Sequence, residues 1–132
     1  MKDKAAQRLY MQNWYAKNRD FWRAKRRDYY YKHKDNPEFK RQMRNSVLQH
    51  DFGITIEQYE ALSETQNGLC AICKNVCASG KQLAVDHNHT TGKVRGLLCR
   101  RCNQGIGLFE DEPALLQGAA EYLKERDGGD SS

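Results

Sequence analysis

Long apolar runs are missing from this sequence: the longest are a few residues, against the roughly 18 needed to cross a bilayer. The opening residues, MKDKAAQRLY, carry no apolar core of an export signal. Together these absences point to a soluble, intracellular, cytoplasmic protein with no membrane partner. At 132 residues the chain is too short for a large multidomain enzyme. Proline occurs only at Pro37 and Pro113, and no glycine precedes Gly53, so little in the first 50 residues interrupts a helix.

Five cysteines in such a chain are poor disulfide material, because the cytosol keeps thiols reduced, and metal ligation is the better expectation. Charge is divided unevenly. Residues 1–50 hold 14 basic and 5 acidic side chains (+9), while residues 51–132 hold 8 and 12 (−4). The expected organisation is a basic aromatic arm over residues 1–50, a more acidic body over 51–127 and a frayed tail over 128–132.

Eight of the 13 aromatic residues fall in the first 35 positions, interleaved with Lys and Arg. This predicts one or two helices, with Tyr10, Trp14 and Phe21 in a stripe and Arg23, Lys25, Arg26 and Arg27 facing solvent. A break is expected at Asn36-Pro37, where Asn36 can cap a new helix. In that helix Phe39, Met43 and Val47 form an apolar seam. Thr55-Ile56-Glu57-Gln58 reads as a capping box before a short helix carrying Tyr59 and Leu62. LAVD and KVRGLLC then read as two strands joined by HNHTTG. Helix is expected after Cys102, and a last helix from Asp111-Glu112-Pro113, burying Leu115, Leu116, Ala119, Ala120 and Leu123.

Cys70-x-x-Cys73 and Cys99-x-x-Cys102 are two knuckles separated by 25 residues that contain the hairpin. Two such pairs form the closed tetrahedral site favoured by Zn²⁺. With four thiolates no position stays open for water, so the expected zinc is structural. A body of this size gains what its small core lacks, on the order of 10 kcal/mol of metal binding converted to folding energy. Cys77 is left over as an idle thiol. Between the knuckles lies Asp86-His87-Asn88-His89, at a strand end. Asn103 directly follows Cys102, and the ββα connection allows it to face Asp86 across the hairpin. A carboxylate and an amide oxygen are hard ligands of the kind Mg²⁺ accepts while keeping several waters.

CAICKN, LAVDHNHTTGKVRGLLCRRCNQGIGLFEDEP and LLQGAAEYL resemble the phage recombination endonuclease VII family, a branch of the HNH or ββα-metal (His-Me finger) nucleases. FGITIEQYEAL and QNGLCAIC are also similar to that family's lead-in, so the resemblance covers about residues 45–125. It implies an α+β fold with a zinc-stabilised ββα-metal core flanked by helices and led by a basic helical arm. It further implies Asp86 and Asn103 as ligands of a catalytic Mg²⁺ or Mn²⁺, His87 as general base, and His89 as a phosphate-contacting or supporting residue. One departure stands out: the junction resolvase for which the family is named has an acidic residue three positions after its amide ligand, where this chain has Ile106.

Arg95, Arg100 and Arg101, with Lys93 a weaker candidate, flank the cluster and are expected to meet DNA phosphates. The arm suits phosphate contact along a duplex, and also a homodimer surface with its aromatics buried between protomers; the plain alternative is an amphipathic helix folded onto its own body. His33 and His50 receive no chemical role. The expected function is a metal-dependent DNA endonuclease that nicks duplex DNA or resolves branched DNA. A catalytically silent zinc-ribbon DNA-binding module is the rival.

Overall fold

The computed structural model describes residues 3–128, so most of the expected tail, residues 129–132, lies outside the described residues. Helix α1 runs Lys4–His33, α2 Pro37–Phe52, α3 Ile56–Thr65, strand β1 Ala84–His87, β2 Val94–Leu98, α4 Arg100–Leu108 and α5 Pro113–Arg126. The chain is α+β, with a single two-stranded sheet among the described residues. It divides into two units, one up to Arg44 and the other from Asn45 on, the division falling inside α2. Among the described residues no helix is long and apolar enough to cross a membrane.

In the first unit, α1 has no buried residue along its 30 positions. It opens on an Asp3 cap, whose Oδ1 accepts from the Ala5 amide at 2.9 Å. Trp14 and Trp22, two helical turns apart, approach to 6.2 Å, and the Lys25 ammonium lies over the rings of Phe21 (5.1 Å) and Trp22 (5.7 Å). The break falls where Asn36-Pro37 placed it: Asn36 Oδ1 accepts from the amides of Glu38 and Phe39, and Pro37 takes the first helical position.

The second unit is built on a small core of Leu48, Ile56, Tyr59, Leu83, Val85, Leu97, Leu98, Cys70 and Cys99. The capping box forms as read from the sequence. Thr55 Oγ1 accepts from the Gln58 amide at 3.2 Å, and Gln58 Oε1 accepts from the Thr55 amide at 2.8 Å. That cap sets α3 so that the Tyr59 hydroxyl donates to the Leu83 carbonyl at 2.7 Å, tying the helix to the approach of β1. Gln66, just past α3, binds the other strand: its amide donates to the carbonyls of Leu69 and Leu97, and its Oε1 accepts from the Leu97 amide at 2.9 Å.

Three expectations need correction. On α2 it is Leu48 that is fully buried, while Met43 and Val47 are nearly half exposed, because Leu48 faces the core that α3 and the hairpin complete. Helix α4 begins before Cys102, at Arg100, because Cys99 acts as its N-cap with Sγ accepting from the Cys102 amide. The apolar face of α5 is not buried: Leu115 and Leu123 are about half exposed, and no residue of that helix reaches the core.

Candidate metal centres and their surroundings

The knuckle cysteines reach one point from two directions. Tight turns bring the Lys74 amide to the Cys70 carbonyl and the Cys70 amide to the Asn75 carbonyl, and the Ala71 amide bonds to the Leu97 carbonyl at 3.1 Å. The first knuckle is thereby fastened to β2, whose end supplies Cys99. The sulfurs of Cys70, Cys73, Cys99 and Cys102 all lie within 4.8 Å of one another, with Cys73 and Cys99 at 3.9 Å. A tetrahedron with Zn–S bonds of about 2.3 Å has S–S edges of about 3.8 Å, so the Cys73–Cys99 spacing already matches and the others need shorten by no more than about 1 Å. Cys77 stands outside the group, its sulfur 3.1 Å from the Ser79 hydroxyl.

The thiols influence one another. Burial alone would raise Cys70, but backbone hydrogen bonds from Cys99, Cys73 and Ile72 outweigh it and draw that thiol below its ordinary range. Burial, hydrogen bonds to the other three sulfurs and the Cys70 charge push Cys102 up. One thiolate forms readily and opposes its neighbours, and a divalent cation at the centre relieves that opposition.

The second cluster sits on the hairpin. The strands pair antiparallel as Ala84 with Leu98, Val85 with Leu97 and Asp86 with Gly96, and then the register shifts so that His87 meets Val94. Arg95 is the extra residue of this bulge. In regular pairing it would point to the face opposite Asp86; the bulge re-aims it. Its guanidinium forks onto the carboxylate, Nε to Oδ2 at 2.7 Å and Nη2 to Oδ1 at 2.8 Å. The same Nη2 reaches Asp111 Oδ2 at 3.2 Å. Asp86 is buried, its side chain only 10% exposed, so its charge has been taken from water and answered by one cation. Hydrogen bonding to Asp86, opposed by burial and aided by Asp111, raises the already high Arg95 pKa further.

His87 ends β1 half-buried, its ring edge-on to Phe52 at 5.3 Å and 4.6 Å from the ring of exposed His89. Asn88 closes the loop beyond as an Asx turn, its Oδ1 accepting from the amides of Thr90 and Thr91. Asn103 is half-buried on α4, which packs on both strands, and among the described residues its side chain makes no bond to Asp86. Ile106 packs against the core one turn later.

The structure thus joins Asp86 to Arg95 and His87 to His89. Arg100 and Arg101 are exposed on the first turn of α4, and Arg23, Lys25, Arg26 and Arg27 are exposed on α1. Arg95, expected to face phosphate, instead faces two carboxylates. Asp111 was read only as part of a helix start. Nothing in the residues around Asp111 announces its bond to Arg95, 16 positions away.

Comparison with known proteins gives a family model, recombination endonuclease VII, matching residues 45–125. The Gene 59 protein of Mycobacterium phage D29 is 48% identical over 75 residues, covering 56% of this chain and 46% of that one. The Gene 59 protein of Mycobacterium phage L5 is 44% identical over 73 residues, covering 54% and 44%. The chain therefore aligns with less than half the length of these relatives. The matched region holds both knuckles, the hairpin and α4. With that span matched, the chain belongs to the recombination endonuclease VII family.

Proposed function

We propose that this chain is a divalent-metal-dependent DNA endonuclease of the HNH type, hydrolysing phosphodiester bonds in duplex or branched DNA in the cytoplasm of a phage-infected host. The observation that carries the reading is the coincidence, inside the family match, of a four-sulfur zinc site with a buried carboxylate, a histidine and an amide on the hairpin and helix that this site clamps.

The donor set suits Mg²⁺ or Mn²⁺: Asp86 supplies a carboxylate that already demands a cation, and Asn103 supplies an amide oxygen. A divalent ion held by these two residues would supply stabilisation of the negative charge on the scissile phosphate and its leaving oxygen. His87 takes a proton from the attacking water, imidazole nitrogen being the commonest general base among side chains. Phe52 against one edge limits how the His87 ring turns, and His89 stands at the exposed side, where a phosphate arrives. In-line attack with a 3′-hydroxyl leaving group yields 5′-phosphate ends. The test is cleavage of a four-way junction, a Y-junction, a linear duplex and a supercoiled plasmid, with strand ends mapped. Ends of the opposite polarity would contradict this assignment of the leaving oxygen.

Residues 1–50 act in this reading as a DNA-contacting arm, and residues 51–127 as the nuclease domain. Deleting residues 1–35 removes 11 basic and 4 acidic groups and leaves both clusters in place. Chemistry should survive while binding weakens. If four arm cations contact phosphates, the slope of log K against log[salt] should flatten by roughly 3.6, about 0.9 per contact. A homodimer formed through the arm predicts instead an unchanged slope per protomer and a smaller particle in sedimentation. Measuring both on the truncated protein separates the two roles.

A further inference from the structure

Resting on that nuclease reading, we propose that Arg95 is an internal cation that occupies the Asp86 carboxylate until a divalent ion displaces it, and that Asp111 is the positioning residue that retains the displaced guanidinium at the edge of the site. Both Asp86 oxygens are engaged by the Arg95 fork, at 2.7 and 2.8 Å. An ion bound to either oxygen at about 2.1 Å would lie within about 5 Å of a guanidinium nitrogen, with little water between. The two cations therefore oppose each other at this carboxylate.

The geometry also provides somewhere for Arg95 to go. Asp111 already holds Nη2 at 3.2 Å, so turning the guanidinium away from Asp86 keeps one of its ion pairs. The chain is shaped to place that carboxylate. Glu110 and Asp111 both adopt left-handed backbone, φ 56° and 58°, and the Asp111 amide returns to the Ile106 carbonyl at 3.0 Å. Arg95 itself faces Asp86 only because it is the bulged residue of β2. With the guanidinium on Asp86, that buried carboxylate is not left unpaired.

The test is Mn²⁺ binding to the full-length, zinc-loaded protein, followed through the electron paramagnetic resonance signal of free Mn²⁺, with no DNA and no turnover. The guanidinium is bonded to both carboxylate oxygens, so a metal cation can bind there only by displacing a charge-assisted pair. Arg95→Gln should therefore tighten Mn²⁺ on the order of 10-fold. Asp111→Asn leaves the Asp86 fork intact but removes the place that receives Arg95, so it should weaken Mn²⁺ severalfold. Loss of fold would weaken Mn²⁺ in both variants, so opposite signs exclude it. Should Arg95→Gln fold poorly, Arg95→Lys, which keeps the charge but cannot fork, should tighten Mn²⁺ to a smaller extent.

Weaker or unchanged Mn²⁺ binding in the Arg95 variants, or unchanged binding in Asp111→Asn, would overturn the inference. Asp86→Asn separates that failure from failure of the nuclease reading. If it abolishes Mn²⁺ binding, the metal assignment stands and the Arg95 and Asp111 results judge the exchange alone. If it binds Mn²⁺ like the wild type, the metal assignment and the exchange fall together.

Discussion

His87→Ala is expected to lower DNA cleavage by on the order of 100-fold or more at saturating divalent metal, with DNA affinity little changed. The substitution removes the proposed proton acceptor and leaves the Asp86–Arg95 pair untouched. The lost packing includes the ring contacts with Phe52 and His89, and His87 is only half-buried and is not part of the core. Single-turnover kinetics beside a binding measurement is the appropriate check, because the loss should appear in the chemical step and not in association. Cleavage at the wild-type rate would remove His87 from the role of base. His89→Ala should do less, as an exposed residue at the outer side of the site.

Cys99→Ser is expected to cost the second unit its cooperative unfolding transition. Two functions meet in this residue: it supplies one of the four sulfurs, and it caps α4 by accepting from the Cys102 amide. Serine is itself a good N-cap, so the substitution keeps the second function and removes the first. Any loss is then attributable to the metal. A site reduced to three thiolates holds zinc more weakly, and the core among the described residues is nine buried residues, two of them cysteines of the site itself. Thermal unfolding and zinc content on the same preparation provide the measurement. A Cys99→Ser protein with one zinc per chain and a wild-type melting curve would contradict the four-cysteine centre.

What the sequence disclosed follows from the range of the interactions involved. The caps at Asn36 and Thr55 are bonds spanning two or three residues, and the cysteine spacings encode their own geometry, so both were readable without the fold. The hairpin was legible because β-branched and leucine residues flank a loop rich in turn formers. Bonds that join distant segments were not legible. Nothing in the residues around Gln66 announces that its amide will bridge two carbonyls and an amide of the turn and of β2, 31 positions away in the latter case.

The bulge at Arg95 shows the same limit in the candidate site. Strand alternation sends Arg95 to the face opposite Asp86, and basic character alone suggests phosphate; one extra residue in β2 reverses both inferences by turning the guanidinium onto the carboxylate. On α2, a spacing of four selected Val47 for the seam, whereas burial of Leu48 depends on where α3 and the hairpin come to lie. Helix α5 carries the apolar periodicity of a buried face, yet Leu115 and Leu123 remain about half exposed, because periodicity reports which face is apolar and not what covers it.

The most direct test of the central claim is incubation of supercoiled plasmid with the zinc-loaded full-length chain, with and without added Mg²⁺ or Mn²⁺, alongside Asp86→Asn. The account predicts relaxation or linearisation only when the divalent ion is present, abolished by Asp86→Asn while the protein retains its zinc and its fold. Plasmid that stays supercoiled at every divalent-ion concentration, bound but uncut, would contradict it and leave a zinc-stabilised DNA-binding module in its place.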